Sequence, residues 1–553
     1  MQRLNLIFLL IICYIPCHSQ VFSWAKTFGG KEYDRARRVH LDEQDNIYAV
    51  GRFSDSINFD QTSTSSDAVL LSNGRSDAFV YKLDKDGNHL WSTNIGGNAS
   101  DRASQILLDK EKNILIGGDF REDVDFDPGP NTFLLRNDFI SDQFVLKLDP
   151  DGNFLWVNHL INGVLIDMIL DDQGNIYATG QFQQELIYEI DNEVKSTMAI
   201  GLIDSYIQKI DADGNTLWVK TFGGLDVDAG TSLAINADND IYCAGTFSEE
   251  ADFDPSANSF LLQSEGEYDI FILKIDSDGN FIWATSIGTP QYELSPIVET
   301  IQGDHICVSG SSDGKLFVHQ YDGLGQKIWE RNISGSRTLD FIRSNSMLIN
   351  DNNDIYLTGT FIGNIDFDPS NQSLILSSNT TIDGESDCFV ARYNKEGELT
   401  WIEHISGKGA EEGNSLAQNS NGDLLLIGNY DDEVIINSNS FSFSSPSIGA
   451  SDIFITKIDQ LQTTSTNGPA NVEVKLMPNP SNTGVFQIER QSKMSPHAKV
   501  FVADLSGRIV AQYKLDEIDN ILNLDFLADG IYCVQFSLYD KIYASKKIVI
   551  VRN

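Results

Sequence analysis

The chain has 553 residues, 41% hydrophobic and 22% charged, enough for several domains or one large repeat body at roughly 100–200 residues per domain. Its 80 acidic and 39 basic residues leave a net charge of −41. That balance excludes nucleic acid as the expected partner, because nucleic-acid binders need clustered Lys and Arg to displace counterions. It suits an extracellular surface, or one that gathers cations.

The chain opens with MQRLNLIFLLIICYIPCHSQ: Arg3, an apolar run from Leu4 to Ile15, then small residues at Cys17 and Ser19. Residues 1–19 therefore read as a secretory signal peptide, too short for a stable membrane span, with Gln20 the expected mature N-terminus. Cys17 follows Pro16 and lacks the small-residue approach of a lipoprotein box. No later stretch reaches 18 uninterrupted apolar residues, so no transmembrane segment is expected in the mature chain. Cys243, Cys307, Cys388 and Cys533 remain after cleavage. Their scatter and lack of CxxC spacing predict buried thiols rather than disulfides or a zinc site.

From Trp24 onward one phrase recurs. FVYKLDKDGNHLW ends at Trp91, FVLKLDPDGNFLW at Trp156, YIQKIDADGNTLW at Trp218 and FILKIDSDGNFIW at Trp283. The tryptophans 24, 91, 156, 218, 283, 329 and 401 lie 67, 65, 62, 65, 46 and 72 residues apart. A long period carried by strand-like text means one supersecondary unit copied about an axis. Each copy holds four short apolar segments, and the second (NIYAVGRF, 46–53, and its equivalents) is apolar on both faces, as in a strand buried on two sides. The D-x-D-G text between the third and fourth segments fits a hairpin turn with glycine in the left-handed position. It shares its opening with a calcium loop, but no acidic residue follows at the distance an EF-hand needs. The tryptophans are expected as core spacers.

Four antiparallel strands repeated radially make a β-propeller. The last copy ends on a third strand, SDIFITKIDQ (451–460), and the chain begins on an unpartnered tryptophan strand, VFSWAKTFGG (21–30). Joined, they complete one blade, which leaves no open edge. The expected fold class is all-β: a seven-bladed β-propeller over 20–459 closed by the N-terminal strand, then a small immunoglobulin-like β-sandwich. In its W…GG…D, GNIYxTG and DxFVxKLDxDGN elements, the stretch 21–459 resembles the bacterial SBBP β-propeller repeat family, which implies the fold and little about activity.

Alternate loops of such blades emerge at one end. The fourth-to-first connections (Gly29-Gly30…Asp34 and equivalents) share that end with insertions of about 20 residues between second and third strands, long for hairpin loops. This end is the candidate binding face. The insertions repeat Asp-Phe-Asp-Pro, with Asp125 and Asp127, Asp252 and Asp254, and Asp366 and Asp368 as paired carboxylates. In an extended segment both carboxylates point one way and the Phe the other. Two readings follow: a Ca²⁺ held with carbonyls and water, or a packed Phe beside a turn opened by Asp-Pro. No G-x-S-x-G elbow, HExxH helix or phosphate-cradling loop occurs, and the histidines do not recur at a shared repeat position.

After Asp459, QLQTTSTNGPAN (460–471) reads as a linker. Residues 472–553 hold six or seven short β segments, matching a small sandwich. This tail is similar to the type A C-terminal sorting domain of the type IX secretion system of the Bacteroidetes, at Pro478-Asn479-Pro480, Gly484, Asp504, Ser506-Gly507-Arg508, Leu527, Gly530-Ile531-Tyr532 and Lys546-Lys547-Ile548. Met477 departs mildly, standing where the family often has an aromatic residue. The resemblance implies handling by the secretion machinery and its sortase, then attachment to the cell surface or release. The expected function is non-catalytic: a secreted or surface propeller presenting a face to a glycan, protein or cation. The rival is a secreted propeller hydrolase or lyase acting on polysaccharide.

Overall fold

The computed structural model describes residues 20–60, 68–137, 141–335, 337, 339–370, 373–379, 385–438, 441–460, 474–478, 481–490, 499–503, 509–514, 521–538 and 541–552. The regular elements among them are all β-strands. Val21–Asp459 forms one compact unit, and the described residues from Gln460 onward belong to another.

The larger unit repeats a four-stranded antiparallel sheet. Arg35–Leu41, Ile47–Phe53, Asp77–Leu83 and His89–Ile95 pair in that order. Ile47–Phe53 is buried except at Arg52, as its two-sided apolar text predicts. The same order recurs in Ala229–Ile235, Ile241–Phe247, Asp269–Ile275 and Phe281–Ile287. Phe154–Leu170 serves as the last strand of one copy and the first of the next, so two copies share a sheet. In the final copy, Glu411–Gln418, Leu424–Tyr430 and Asp452–Gln460 are completed by Gln20–Phe28 from the other end of the chain. Thr456 Oγ1 donates to the Trp24 carbonyl at 2.8 Å.

No sheet closes on itself among the described residues; the copies meet side by side. Arg35–Leu41 packs on Arg102–Leu108, and the first strands then follow in series through Phe154–Leu170, Ala229–Ile235, Glu293–Ile301, Phe341–Ile349 and Glu411–Gln418. Glu411–Gln418 packs back on Arg35–Leu41. Each first strand carries a register shift at the same place, as between Ala36 and Arg38 or between Gly413 and Ser415. Such a bulge re-aims the next side chain, here toward the neighbouring copy. Arg38 Nε donates to Gln105 Oε1 at 3.1 Å, and Gln105 Nε2 donates to the Ile166 carbonyl at 3.0 Å. Asp167 Oδ2 accepts the Leu233 N–H at 2.7 Å, and Ser232 Oγ accepts the Val298 N–H at 3.1 Å. Ser346 Oγ accepts from Leu416 and Ser415 Oγ from Val39, both at 3.3 Å.

The tryptophans differ from expectation. Only Trp401 is buried; the other six are half-buried. Their strand is the outer one, so one side of each half-buried indole meets solvent, and in five of them the other closes on the turn of the next copy. Gly87, Gly152, Gly214, Gly325 and Gly397 have positive φ, and a Cβ on any of them would lie within 3.6 Å of Trp24, Trp91, Trp156, Trp283 or Trp329 respectively. Trp156 and Trp283 also donate to the Ala212 and Gly323 carbonyls, at 3.2 and 3.0 Å. The D-x-D-G aspartate holds the turn internally: Asp84 Oδ1 accepts the N–H groups of Asp86 at 3.0 Å and Asn88 at 2.8 Å. Cys243, Cys307 and Cys388 are buried free thiols.

In the C-terminal unit, Val474–Met477, Val485–Arg490 and Ile521–Asn523 form one sheet. Ile509–Lys514, Lys499–Ala503, Gly530–Leu538 and Lys541–Ile550 form another. Phe486 and Leu522 from the first share an apolar core with Val500, Val534 and Ile548 from the second, a sandwich in small.

Candidate functional site

The insertions fold as small hairpins, among them Glu250–Asp252 with Leu261–Gln263 and Asn364–Asp366 with Ile375–Ser377. They are pinned to the outer strand of the preceding copy, through Gly223↔Asp252, Ser334↔Asp366 and Ser406↔Ile435. Gly29↔Asn58 makes the same link between the strand at the chain's start and the first insertion. The insertions therefore brace neighbouring copies at the rim.

The Asp-Phe-Asp-Pro residues fit this bracing. Phe126, Phe253 and Phe367 are fully buried. Phe253 lies 4.8 Å from Phe271, 5.3 Å from Phe247 and 5.9 Å from Phe222 between ring centres. Asp252 Oδ1 accepts the N–H groups of Asp254 at 3.1 Å and Phe260 at 2.8 Å, and Asp254 Oδ1 accepts that of Ser256 at 2.9 Å. Asp125 and Asp127 make the equivalent bonds from Asp127, Phe133 and Gly129. Asp366 and Asp368 make them from Asp368, Leu374 and Ser370. No group of three or more Asp, Glu, His or Cys side chains is gathered for a metal among the described residues.

At the end where first strands begin and second strands finish, a cavity of about 610 Å³ opens across three successive copies. It is lined by Arg52, Ser100, Asp101, Arg102, Asp119, Arg121, Gln181 and Gln183, among others. Arg102 pairs with Asp119, which lies opposite it across the sheet. Arg121 Nε donates to Ser141 Oγ at 2.9 Å. Asp101 accepts the N–H groups of Gly97 at 2.7 Å and Arg121 at 3.0 Å. Burial pushes its carboxyl up to about 6, and Asp77 and Asp119 add to the rise. Arg52 stands opposite Arg35 in the register, a like-charge cross-strand pair that disfavours the sheet. Among the described residues Arg52 makes no ion pair.

Sequence reasoning missed this cluster because a net charge of −41 conceals a local excess of cations. The run Arg35-Ala36-Arg37-Arg38 was the available signal. The histidine expectation also needs correcting. His159 and His404 both stand three residues after a tryptophan, and each holds a third-strand carboxylate, Asp142 at 2.7 Å and Asp387 at 2.5 Å. Asn94 holds Asp77 at the same position, at 2.6 Å. The position is a clasp between strands, filled by whichever donor reaches.

In the C-terminal unit, Pro478 is exposed, and Tyr532 is buried with its hydroxyl donating to the Ala528 carbonyl at 2.9 Å. Gly530, Lys547 and Lys546 pair along the sheet with Ile550, Cys533 and Val534. Asn479, Pro480, Gly507 and Arg508 lie outside the described residues.

Residues 475–551 match the family described as the secretion system C-terminal sorting domain. That domain implies export by the type IX secretion system to the cell surface or the medium. No described helix is long and apolar enough to cross a membrane. A curated relative is "Uncharacterized WD repeat-containing protein L264" of Acanthamoeba polyphaga mimivirus, 20% identical over 75% of this chain and 31% of its own length. The chain spans less than a third of the curated relatives it matches. Among solved structures, "Structure of Dos1 propeller" is 9% identical with a TM-score of 0.35, covering 78% of this chain and 93% of that one. "Crystal structure of puromycin hydrolase" is 11% identical with a TM-score of 0.37, covering 83% and 59%.

Proposed function

We propose that Val21–Asp459 is a closed seven-bladed propeller of the bacterial SBBP type, exported through its C-terminal domain, that acts as a non-catalytic binding module. The first strands packed in series and the N-terminal strand seated beside Asp452–Gln460 support closure. The observation that carries the functional reading is the cavity of about 610 Å³, whose lining comes from loops and strand ends of three copies. Its size falls within the range of small-ligand sites. The polysaccharide hydrolase or lyase reading would draw on Asp101 and Asp119, the acidic residues in that cavity. Their oxygens, however, are engaged by backbone N–H groups and by Arg102, which favours binding over proton transfer. A glycan array with and without Ca²⁺, paired with product analysis on the same polysaccharides, tests the reading. Retention without turnover is expected; release of shortened products refutes it.

A further inference from the structure

Arg52, which lines the cavity and makes no ion pair among the described residues, is its least explained feature. Arg52 faces Arg35 across the strand pair. Neighbouring cations are already committed: Arg102 to Asp119, Arg121 to Ser141, and Arg38 to Gln105 and to the Asn414 carbonyl at 3.2 Å. Like charges held opposite one another cost stability, and such a cost is retained where it serves binding. The positive spot sits within a chain of net charge −41. At physiological salt, fields fade over about 8 Å, so an anion inside the cavity senses the arginines, whereas a long polyanion also meets the acidic surface.

The rest of the lining narrows the chemistry. Ser100, Gln181 and Gln183 offer neutral hydroxyl and amide groups at the wall, suited to sugar hydroxyls. A guanidinium presents a planar fork that matches a carboxylate or sulfate with two parallel hydrogen bonds. We propose that this cavity binds the anionic end of an acidic oligosaccharide, its carboxylate or sulfate held by Arg52 and its hydroxyls by Ser100, Gln181 and Gln183. The proposal rests on the binding-module reading and names its ligand class.

The test is calorimetric titration of the full chain with trigalacturonate, a sulfated galactose trisaccharide, neutral galactotriose and an oligoglutamate peptide. Either acidic saccharide should bind and galactotriose should not; the stronger of the two identifies the anion. Arg52→Gln should weaken that binding about 10–100-fold, the worth of a charge-assisted hydrogen bond. Arg52→Lys, which keeps the charge and loses the fork, should fall between. Arg52→Gln should melt at or above the wild-type temperature, because it removes a like charge opposite Arg35. Acidic-saccharide binding that survives Arg52→Gln overturns the proposed site. Binding by oligoglutamate alone, or by galactotriose as strongly as by the acidic sugars, overturns the ligand class while leaving the binding-module reading intact. Turnover of a saccharide whose binding depends on Arg52 supports the anion site and refutes the non-catalytic reading.

Discussion

Replacing Asp34 with asparagine should change how stability depends on pH. Asp34 is fully buried, its Oδ2 accepts the Gly30 N–H at 2.6 Å, and Asp452 lies nearby. Burial, reinforced by Asp452, raises its carboxyl to about 8, against about 3.9 in an unfolded chain. Between those values the folded state keeps a proton that the unfolded state has lost. Its stabilising contribution is therefore complete below about pH 4 and vanishes as pH rises toward 8. Each tenfold difference in acidity is worth about 1.4 kcal/mol, so the full span corresponds to about 6 kcal/mol, comparable with the roughly 5–15 kcal/mol that holds an ordinary domain. Asparagine keeps an acceptor for Gly30 and cannot ionise. Thermal and urea melts at pH 5 and pH 8 should show wild type less stable at pH 8. Asp34→Asn should lose less over the same interval and be the more stable protein at pH 8. The remaining fall reports other raised carboxyls, Asp228 at about 7 and Glu411 at about 10. Parallel curves for the two proteins from pH 5 to pH 8 would refute the reasoning.

Phe253→Ala empties a fully buried site among three phenylalanines and should cost about 3–5 kcal/mol in urea unfolding. A loss under about 1 kcal/mol would mean that the insertion does not brace the copies. Gly214→Ala sets a Cβ 2.6 Å from the Trp156 ring at a φ of 91°; it should lower the melting temperature and shift tryptophan emission to the red, with unchanged emission counting against the clamp. Asp125→Asn with Asp127→Asn preserves the Oδ1 acceptors of the loop, so melting should hold within about 1 kcal/mol, with or without chelator. A Ca²⁺-dependent rise in melting temperature that the double variant abolishes would instead place a cation there.

Strand order, turn chemistry and the shared end of the loops were legible because each rests on local rules repeated many times. Alternation, Asp-Gly turns and the long period agree from copy to copy. What escaped were properties decided between copies. The half-burial of Trp24 depends on which glycine the neighbouring turn brings beneath it. The pairing of Arg35 with Arg52, at a cavity that Arg102 and Arg121 also line, leaves no mark in a composition dominated by acids. Asp252 and Asp254 suggested two chemistries from their spacing alone, and only the positions of the Phe260 and Ser256 N–H groups show where their oxygens point.

Hydrogen exchange of the full chain, followed strand by strand, tests the proposed ring most directly. Gln20–Phe28 completes the sheet of Asp452–Gln460, so amides of both strands should exchange as slowly as those of Ile47–Phe53, and excising residues 20–28 should expose Asp452–Gln460 to rapid exchange. If Gln20–Phe28 exchanges within seconds while Asp452–Gln460 stays protected without it, the chain is not closed by its own beginning.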